Sequence, residues 1–112
     1  MRTQMAEVRT RLDELYVAYD TFDKAVNKAA ETGYAPNPDV VRAELARLHQ
    51  VATDKLGALN RSVEALKQHL KSRPKLQKLV SLKYKNAKAF LERSEDVLRQ
   101  LTASLANLGH GL

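Results

Sequence analysis

The sequence predicts an all-α fold: an elongated, antiparallel three-helix bundle with coiled-coil-like heptad packing. Leu, Ala, Lys, Arg and Glu are abundant, while aromatic residues make up 5% of the chain and Trp is absent, which is the composition of long helices. Apolar residues recur in steps of three and four over three long stretches, and glycine and proline lie between the stretches. Because 112 residues is the length of one domain, we expect a single bundle over residues 1–112.

The first helix is predicted over residues 2–32. Its apolar residues follow one another in alternating steps of four and three, which makes an uninterrupted heptad seam. We expect the helix to end near Gly33, because glycine readily takes the left-handed conformation that terminates helices. The seam consists of Met1, Met5, Val8, Leu12, Leu15, Tyr19, Phe22, Val26 and Ala29.

The second helix is predicted over residues 38–72, after the segment YAPNPD. Asn37 is a favourable N-cap, Pro38 suits the first helical position, and Asp39 lies at the positive end of the helix dipole. The seam contains a stutter, in which a step of four is repeated, and this locally relaxes a left-handed supercoil. The seam consists of Val41, Leu45, Leu48, Ala52, Leu56, Leu59, Val63, Leu66 and Leu70.

The third helix is predicted over residues 74–108, with Ser72 or Arg73 as the cap and Pro74 in the first turn. Proline disfavours helical geometry in the residue before it and lacks a backbone donor, so we expect a turn here. The alternative is one long helix that is kinked at Pro74. A turn is favoured because the chain has to fold back to bury its apolar stripes. The seam consists of Val80, Tyr84, Ala87, Leu91, Ser94, Leu98, Leu101, Leu105 and Leu108.

No group of polar residues has the spacing of a catalytic or metal-binding motif. The absence of cysteine excludes disulfides and thiolate metal sites. His49 and His69 each lie five residues after a glutamate, whereas a di-iron bundle needs Glu and His three apart. We expect both to be surface residues, His110 to lie in the tail, and Ser94 to bond to the backbone one turn back. The sequence therefore predicts no enzymatic activity, no cofactor and no metal site.

Two tyrosines and a valine outside the seams allow two interpretations. Tyr16 and Val17 lie beside the first seam, and together with Tyr34 they form a candidate partner-binding patch. Alternatively, Tyr16 packs against the third helix, because each helix of a bundle meets two others. The second interpretation is favoured.

The basic character of the chain belongs to one segment. The net charge is +6, but residues 65–91 carry +8 and the rest of the chain carries −2. If the chain turns at Pro74, these cations gather at one end of the rod, and those on the third helix oppose its dipole. A charge cost without a visible local gain indicates a partner. This basic tip consists of Lys67, Lys71, Arg73, Lys75, Lys78, Lys83, Lys85 and Lys88.

Three interpretations of the basic tip compete. It is a solvated face that keeps the protein soluble, or it docks a protein partner with an acidic surface, steered by charge. It can also bind nucleic acid, or less readily an anionic membrane, through phosphates. Tyr84 and Phe90 are the aromatic residues nearby, and both fit the core pattern, so stacking residues for single strands are lacking. A membrane is disfavoured because the apolar residues here are needed inside the bundle.

The sequence thus favours a non-catalytic protein-interaction module: an adaptor, small chaperone or assembly subunit that binds a protein through helix faces and the basic tip. The alternative is a nonspecific nucleic-acid-binding protein. A homodimer is also compatible, because heptad seams pair within one chain or between two. The lack of a membrane-spanning run, of a secretory signal and of cysteine favours the cytoplasm or another reducing intracellular compartment.

The stretch KNAKAFLERSEDV, residues 85–97, resembles the third helix of BAG domains. These are long three-helix bundles that hold a chaperone ATPase domain with their second and third helices, and the resemblance covers about a dozen residues. The charged contact positions of that family fall near Val80 and Ser81, which do not match. No functional residue is therefore carried over from the resemblance.

Overall fold

The computed structural model describes residues 2–72 and 82–110, and within them the chain forms three helices and no strand. These are α1 (Arg2–Thr32), α2 (Pro38–Lys71) and α3 (Leu82–Gly109). The predicted all-α three-helix architecture is confirmed. The predicted second helix is one residue longer than α2, and the predicted third helix ends one residue before α3. The turn predicted at Pro74 lies outside the described residues.

Successive helices run antiparallel, as two apolar clusters along the rod show. One cluster joins Val8 near the start of α1 to Leu70 near the end of α2 and Ala87 near the start of α3. The other joins Ala29 near the end of α1 to Leu45 near the start of α2 and to the end of α3. The two clusters meet at Tyr19 and Leu56, which pack against both of them. The described part of α3 therefore returns alongside α2, while the choice between a turn and a kink at Pro74 lies outside the described residues.

The heptad seams form the core of the bundle. On α1, the four residues that recur every seven positions from Val8 to Ala29 are at most 4% exposed. The intervening seam residues, such as Met5 and Tyr19, are half-buried and cover the edge of the core. Ser94 is buried on the α3 seam, and its hydroxyl donates to the carbonyl of Phe90 at 2.8 Å, as predicted. This bond satisfies the hydroxyl group that Ser94 places inside the core.

The link between α1 and α2 follows from local backbone chemistry. Gly33 and Tyr34 have positive φ angles of 61° and 65°, the left-handed conformation that ends a helix. The Asn37 side chain then accepts hydrogen bonds from the backbone N–H groups of Asp39 and Val40 at 3.1 and 3.4 Å. Two of the four N–H groups that a helix start leaves unpaired are thereby satisfied. The predicted cap at Asn37 is confirmed.

Ser72 caps the end of α2. The backbone N–H of Ser72 donates to the carbonyl of Gln68 at 2.9 Å, and its hydroxyl donates to the carbonyl of His69 at 3.0 Å. Ser72 itself has helical φ and ψ angles of −77° and −4°. These bonds satisfy carbonyls that the last turn of α2 would otherwise leave open.

His49 is an interhelical residue, and the prediction that it lies free on the surface is wrong. Its ring is half-buried, 5.3 Å from the Phe22 ring in an edge-to-face arrangement. Its Nε2 lies 3.3 Å from the carbonyl oxygen of Leu105 on α3. The periodicity of α2 places His49 beside the seam residue Leu48, where a polar ring can reach the carbonyl of a neighbouring helix. His49 therefore connects all three helices.

Candidate interaction surfaces

The described part of the basic tip lies at one end of the bundle. Lys67 and Lys71 occupy the last two turns of α2, and Lys85 and Lys88 occupy the first two turns of α3. Leu70 and Ala87, their neighbours in sequence, belong to one apolar cluster, so the four lysines surround the same section of the rod. Lys83 belongs to the first turn of α3. The three other predicted tip residues, Arg73, Lys75 and Lys78, lie outside the described residues.

The lysines of this end are open to solvent. Lys71, Lys85 and Lys88 are exposed and Lys67 is half-buried. Among the residues that the structure describes, no carboxylate lies within 4.0 Å of any of these four ammonium groups. Exposed like charges on adjoining helix ends repel one another and add to a positive local potential. An anionic surface that docks here relieves this repulsion.

The first helix adds cations that the sequence analysis did not assign to this surface. The up-down-up topology places the start of α1 beside the start of α3, where the Arg9 guanidinium lies 5.2 Å from the centre of the Phe90 ring. Arg2 lies further toward the same end. This position could have been predicted from the sequence, because an antiparallel three-helix bundle places the start of its first helix beside the turn between its second and third helices. Only residues of the lysine-rich segment, from Lys67 to Lys88, were predicted to form the basic tip.

Charge is therefore separated along the rod. We define the basic end as residues 2–12, 61–72 and 82–93, which together carry ten basic and three acidic side chains, a formal charge of +7. The remaining described residues, 13–60 and 94–110, carry six basic and ten acidic side chains, a formal charge of −4. An elongated molecule with this distribution has a large dipole along its axis, and the dipole orients charged partners as they approach.

A second surface is a groove between α1 and α2. It consists of three successive stretches with volumes of about 500, 510 and 280 Å³. The α1 side of this α1–α2 groove is formed by Glu7, Arg11, Asp13, Glu14, Val17, Ala18, Thr21, Ala25, Lys28, Ala29 and Thr32. The other side is formed by Ala35, Val40, Val41, Glu44, Leu45, Leu48, Val51, Lys55, Ala58, Arg61, Ser62 and Ala65.

The α1–α2 groove opens on the face of the bundle away from α3. Around α1, Glu7 and Arg9 flank the buried Val8 on opposite sides, because successive helical residues are about 100° apart. Arg9 lies against Phe90 of α3, so the side of Glu7 faces away from α3. Three valines are exposed along this groove: Val17 by 69%, Val40 by 62% and Val51 by 37%. Apolar side chains exposed along the same face of two helices are typical of a protein-binding surface.

One interhelical ion pair crosses the middle of the groove. The Lys55 ammonium donates to Glu14 at 3.3 Å, and Arg11 holds the same carboxylate at 3.1 Å while also pairing with Glu7. The hydrogen bond from Lys55 is the main reason that the pKa of Glu14 is lowered below its ordinary value. The ion pair between Lys55 and Glu14 connects α2 to α1 and places charged side chains in the groove.

The tyrosine patch considered in the sequence analysis is not formed. Tyr16 is 46% exposed and lies outside both apolar clusters, so the expected burial of its ring against the third helix is wrong. Tyr34 is half-buried against the second cluster, with the Arg42 guanidinium 5.6 Å from its ring centre. Residues 16 and 32 of α1 are already about 24 Å apart along the helix. Tyr34 therefore does not extend a surface that contains Tyr16 and Val17.

The remaining candidate chemical groups do not converge. His69 is half-buried near the end of α2, while His110 is exposed beyond α3 at the other end of the bundle. Across residues 2–72 and 82–110, no three His, Cys, Asp or Glu side chains are placed to hold a metal ion. None of the helices in these two ranges is long and apolar enough to cross a bilayer. Comparison with protein-family models, characterised protein sequences and solved structures gave no match to this chain.

Proposed function

We propose that the chain is a non-catalytic protein-interaction module, an adaptor, small chaperone or assembly subunit, that binds a protein partner carrying an acidic surface. The observation that carries the proposal is the charge separation between the basic end, at +7, and the remaining described residues, at −4. The exposed lysines at the end of α2 and the start of α3 form the centre of the contact. The helix faces that adjoin them supply the rest.

Electrostatic complementarity of this kind acts mainly on the encounter. Positive charge gathered at one end of a rod draws an acidic surface toward that end and rejects basic proteins by repulsion. Because lysine side chains at the rim stay hydrated, they contribute more to orientation and association rate than to the lifetime of the complex. The contact therefore needs helix-face packing in addition to the lysines.

Capture of proteins from a cell lysate tests the proposal. The baits are the wild-type chain, a basic-end variant Lys71→Glu/Lys85→Glu, and a control variant Lys24→Glu/Arg99→Glu. Both variants lower the net charge equally, but Lys24 and Arg99 lie outside the basic end, on α1 and α3. We expect proteins with acidic surfaces to be retained by the wild type and the control and lost from the basic-end variant. Equal capture by all three baits would mean that the basic tip is a solvated face that does not bind the partner.

Nonspecific binding of nucleic acid is the second candidate, because the same lysines can contact phosphates. It is less well supported, since the Phe90 ring packs against the core with the Arg9 guanidinium over it, and so is not free to stack on a base. Fluorescence anisotropy of labelled random-sequence DNA and RNA at low and physiological salt separates the two candidates. Micromolar binding that weakens steeply with salt would favour nucleic acid, while no binding at low salt would favour a protein partner.

A further inference from the structure

We propose that a second copy of this chain binds in the α1–α2 groove, antiparallel to the first and related to it by a two-fold axis at Thr21. The groove runs along α1 from Glu7 to Thr32, a length of about 38 Å at 1.5 Å per residue. The inference does not depend on the proposed function, because the lysines at the end of α2 and the start of α3 do not line the groove.

The side chains of the groove suit close packing between helices. In the middle stretch, the exposed Val17 and Val51 flank the small residues Ala18 and Thr21. Small residues let two helices approach closely, and protruding valines then fill the space between neighbouring turns. Thr21 is exposed, and its hydroxyl donates to the carbonyl of Val17 at 2.8 Å, so its donor is satisfied without a partner.

The charges along α1 are self-complementary only when the two copies are antiparallel. With the axis at Thr21, a residue that precedes Thr21 on one copy faces the residue that follows Thr21 by the same number of positions on the other copy. Lys28 of the second copy then faces Glu14, and Glu31 of the second copy faces Arg11. A two-fold axis repeats each of these pairs, so four attractive contacts arise from two. In a parallel pairing, each charged residue would instead face the same residue of the other copy, so like charges would repel one another.

The charge of the whole rod favours the same arrangement. Antiparallel copies place each basic end, at +7, alongside the part of its neighbour that carries −4. The available area is also sufficient. A face about 38 Å long and two helices, or about 20 Å, wide offers roughly 760 Å² per copy, close to the value of about 800 Å² per partner in stable complexes.

The oligomeric state in solution tests the proposal. Light scattering coupled to size-exclusion chromatography of the wild type should give twice the chain mass of 12.6 kDa at high concentration. Val17→Glu should raise the dissociation constant of the dimer at least about tenfold, because it places a charge in the interface on both copies. Ala103→Glu adds the same charge at an exposed site on α3 and should leave the dimer unchanged. A monomeric wild type, or a dimer insensitive to Val17→Glu, would overturn the proposal.

A cysteine crosslink tests the position of the axis. The chain contains no cysteine, so Thr21→Cys introduces the only thiol, and oxidation should link two copies covalently if their residues 21 face each other. Thr102→Cys, exposed on α3, measures chance collisions. Crosslinking of Thr21→Cys no faster than of Thr102→Cys would exclude this axis. Lys71→Glu/Lys85→Glu leaves the lining of the groove unchanged and should still form the dimer at high concentration. A monomeric wild type that still captures acidic proteins would overturn the dimer alone.

Discussion

The imidazole of His49 occupies the space that a side chain at Gly109 would need: a Cβ on Gly109 would overlap with Nε2 of His49. The ring is held there by the edge of Phe22 and by the carbonyl of Leu105. A glycine near the end of α3 therefore allows a ring from α2 to close the contact between these helices. The absence of a Cβ, rather than backbone freedom, is what this position uses.

Gly109→Ala should destabilise the bundle, although the same exchange in a helix ordinarily gains up to about 1 kcal/mol. The added methyl group displaces the His49 ring and weakens its contacts with Phe22 and Leu105. In a His49→Ala background, the exchange should recover its ordinary stabilising effect. Urea denaturation of the four chains measures this coupling, and additive effects would show that the two residues do not interact.

Phe22→Ala should cost about 3–5 kcal/mol, since Phe22 is among the largest fully buried side chains and its removal leaves a cavity between the helices. Tyr16→Ala is the matched control, because Tyr16 lies on the same helix and is 46% exposed. Its effect on the free energy of unfolding should be below about 1 kcal/mol. Similar losses for the two variants would contradict the assignment of Phe22 to the core.

Asn37→Ala should lower the free energy of unfolding by about 1 kcal/mol, because two backbone N–H groups at the start of α2 lose their acceptor. Asn60→Ala, at an exposed site within α2, is the control and should be neutral or slightly stabilising, since alanine is the better helix former. Thermal denaturation followed by circular dichroism compares the two. A loss at position 60 as large as that at position 37 would argue against a capping role.

The pH dependence of stability should contain a contribution from Glu14. Its pKa is lowered, chiefly by the hydrogen bond from Lys55, so the folded state binds this proton less readily than the unfolded chain. The resulting stability is present above the unfolded value of 4.5 and is lost as pH falls through the lower folded value. Glu14→Gln should therefore lose less stability than the wild type between neutral pH and pH 3, measured by urea denaturation. Equal losses would contradict the pairing.

The sequence predicted the all-α three-helix architecture, because the three heptad seams and the YAPNPD link are strong local signals. It did not predict the position of His49, because the sequence pattern around a histidine beside a seam does not differ between a ring that faces water and one that faces the carbonyl of another helix. The burial of Tyr16 was predicted from the rule that each helix meets two neighbours. In fact α1 packs more extensively against α2 than against α3, which leaves one side of α1 open.

The interaction surfaces were predicted only in part. The charge cluster was visible in the sequence, and the structure places its five described lysines at one end, together with Arg2 and Arg9. The α1–α2 groove was not predicted. Its small and charged residues, such as Ala18 and Lys28, read as ordinary exposed positions of two separate helices. They become one surface only when both helices are placed side by side.

The most direct test of the central claim is the association rate constant between this chain and a protein captured by it, measured by stopped-flow fluorescence at low and physiological salt. We expect Lys71→Glu/Lys85→Glu to slow association about tenfold at low salt, with a smaller effect at physiological salt, because the basic end steers the encounter. Lys24→Glu/Arg99→Glu should change the rate much less. Equal association rates for both variants and the wild type, or a rate independent of salt, would contradict a role of the basic end in partner binding.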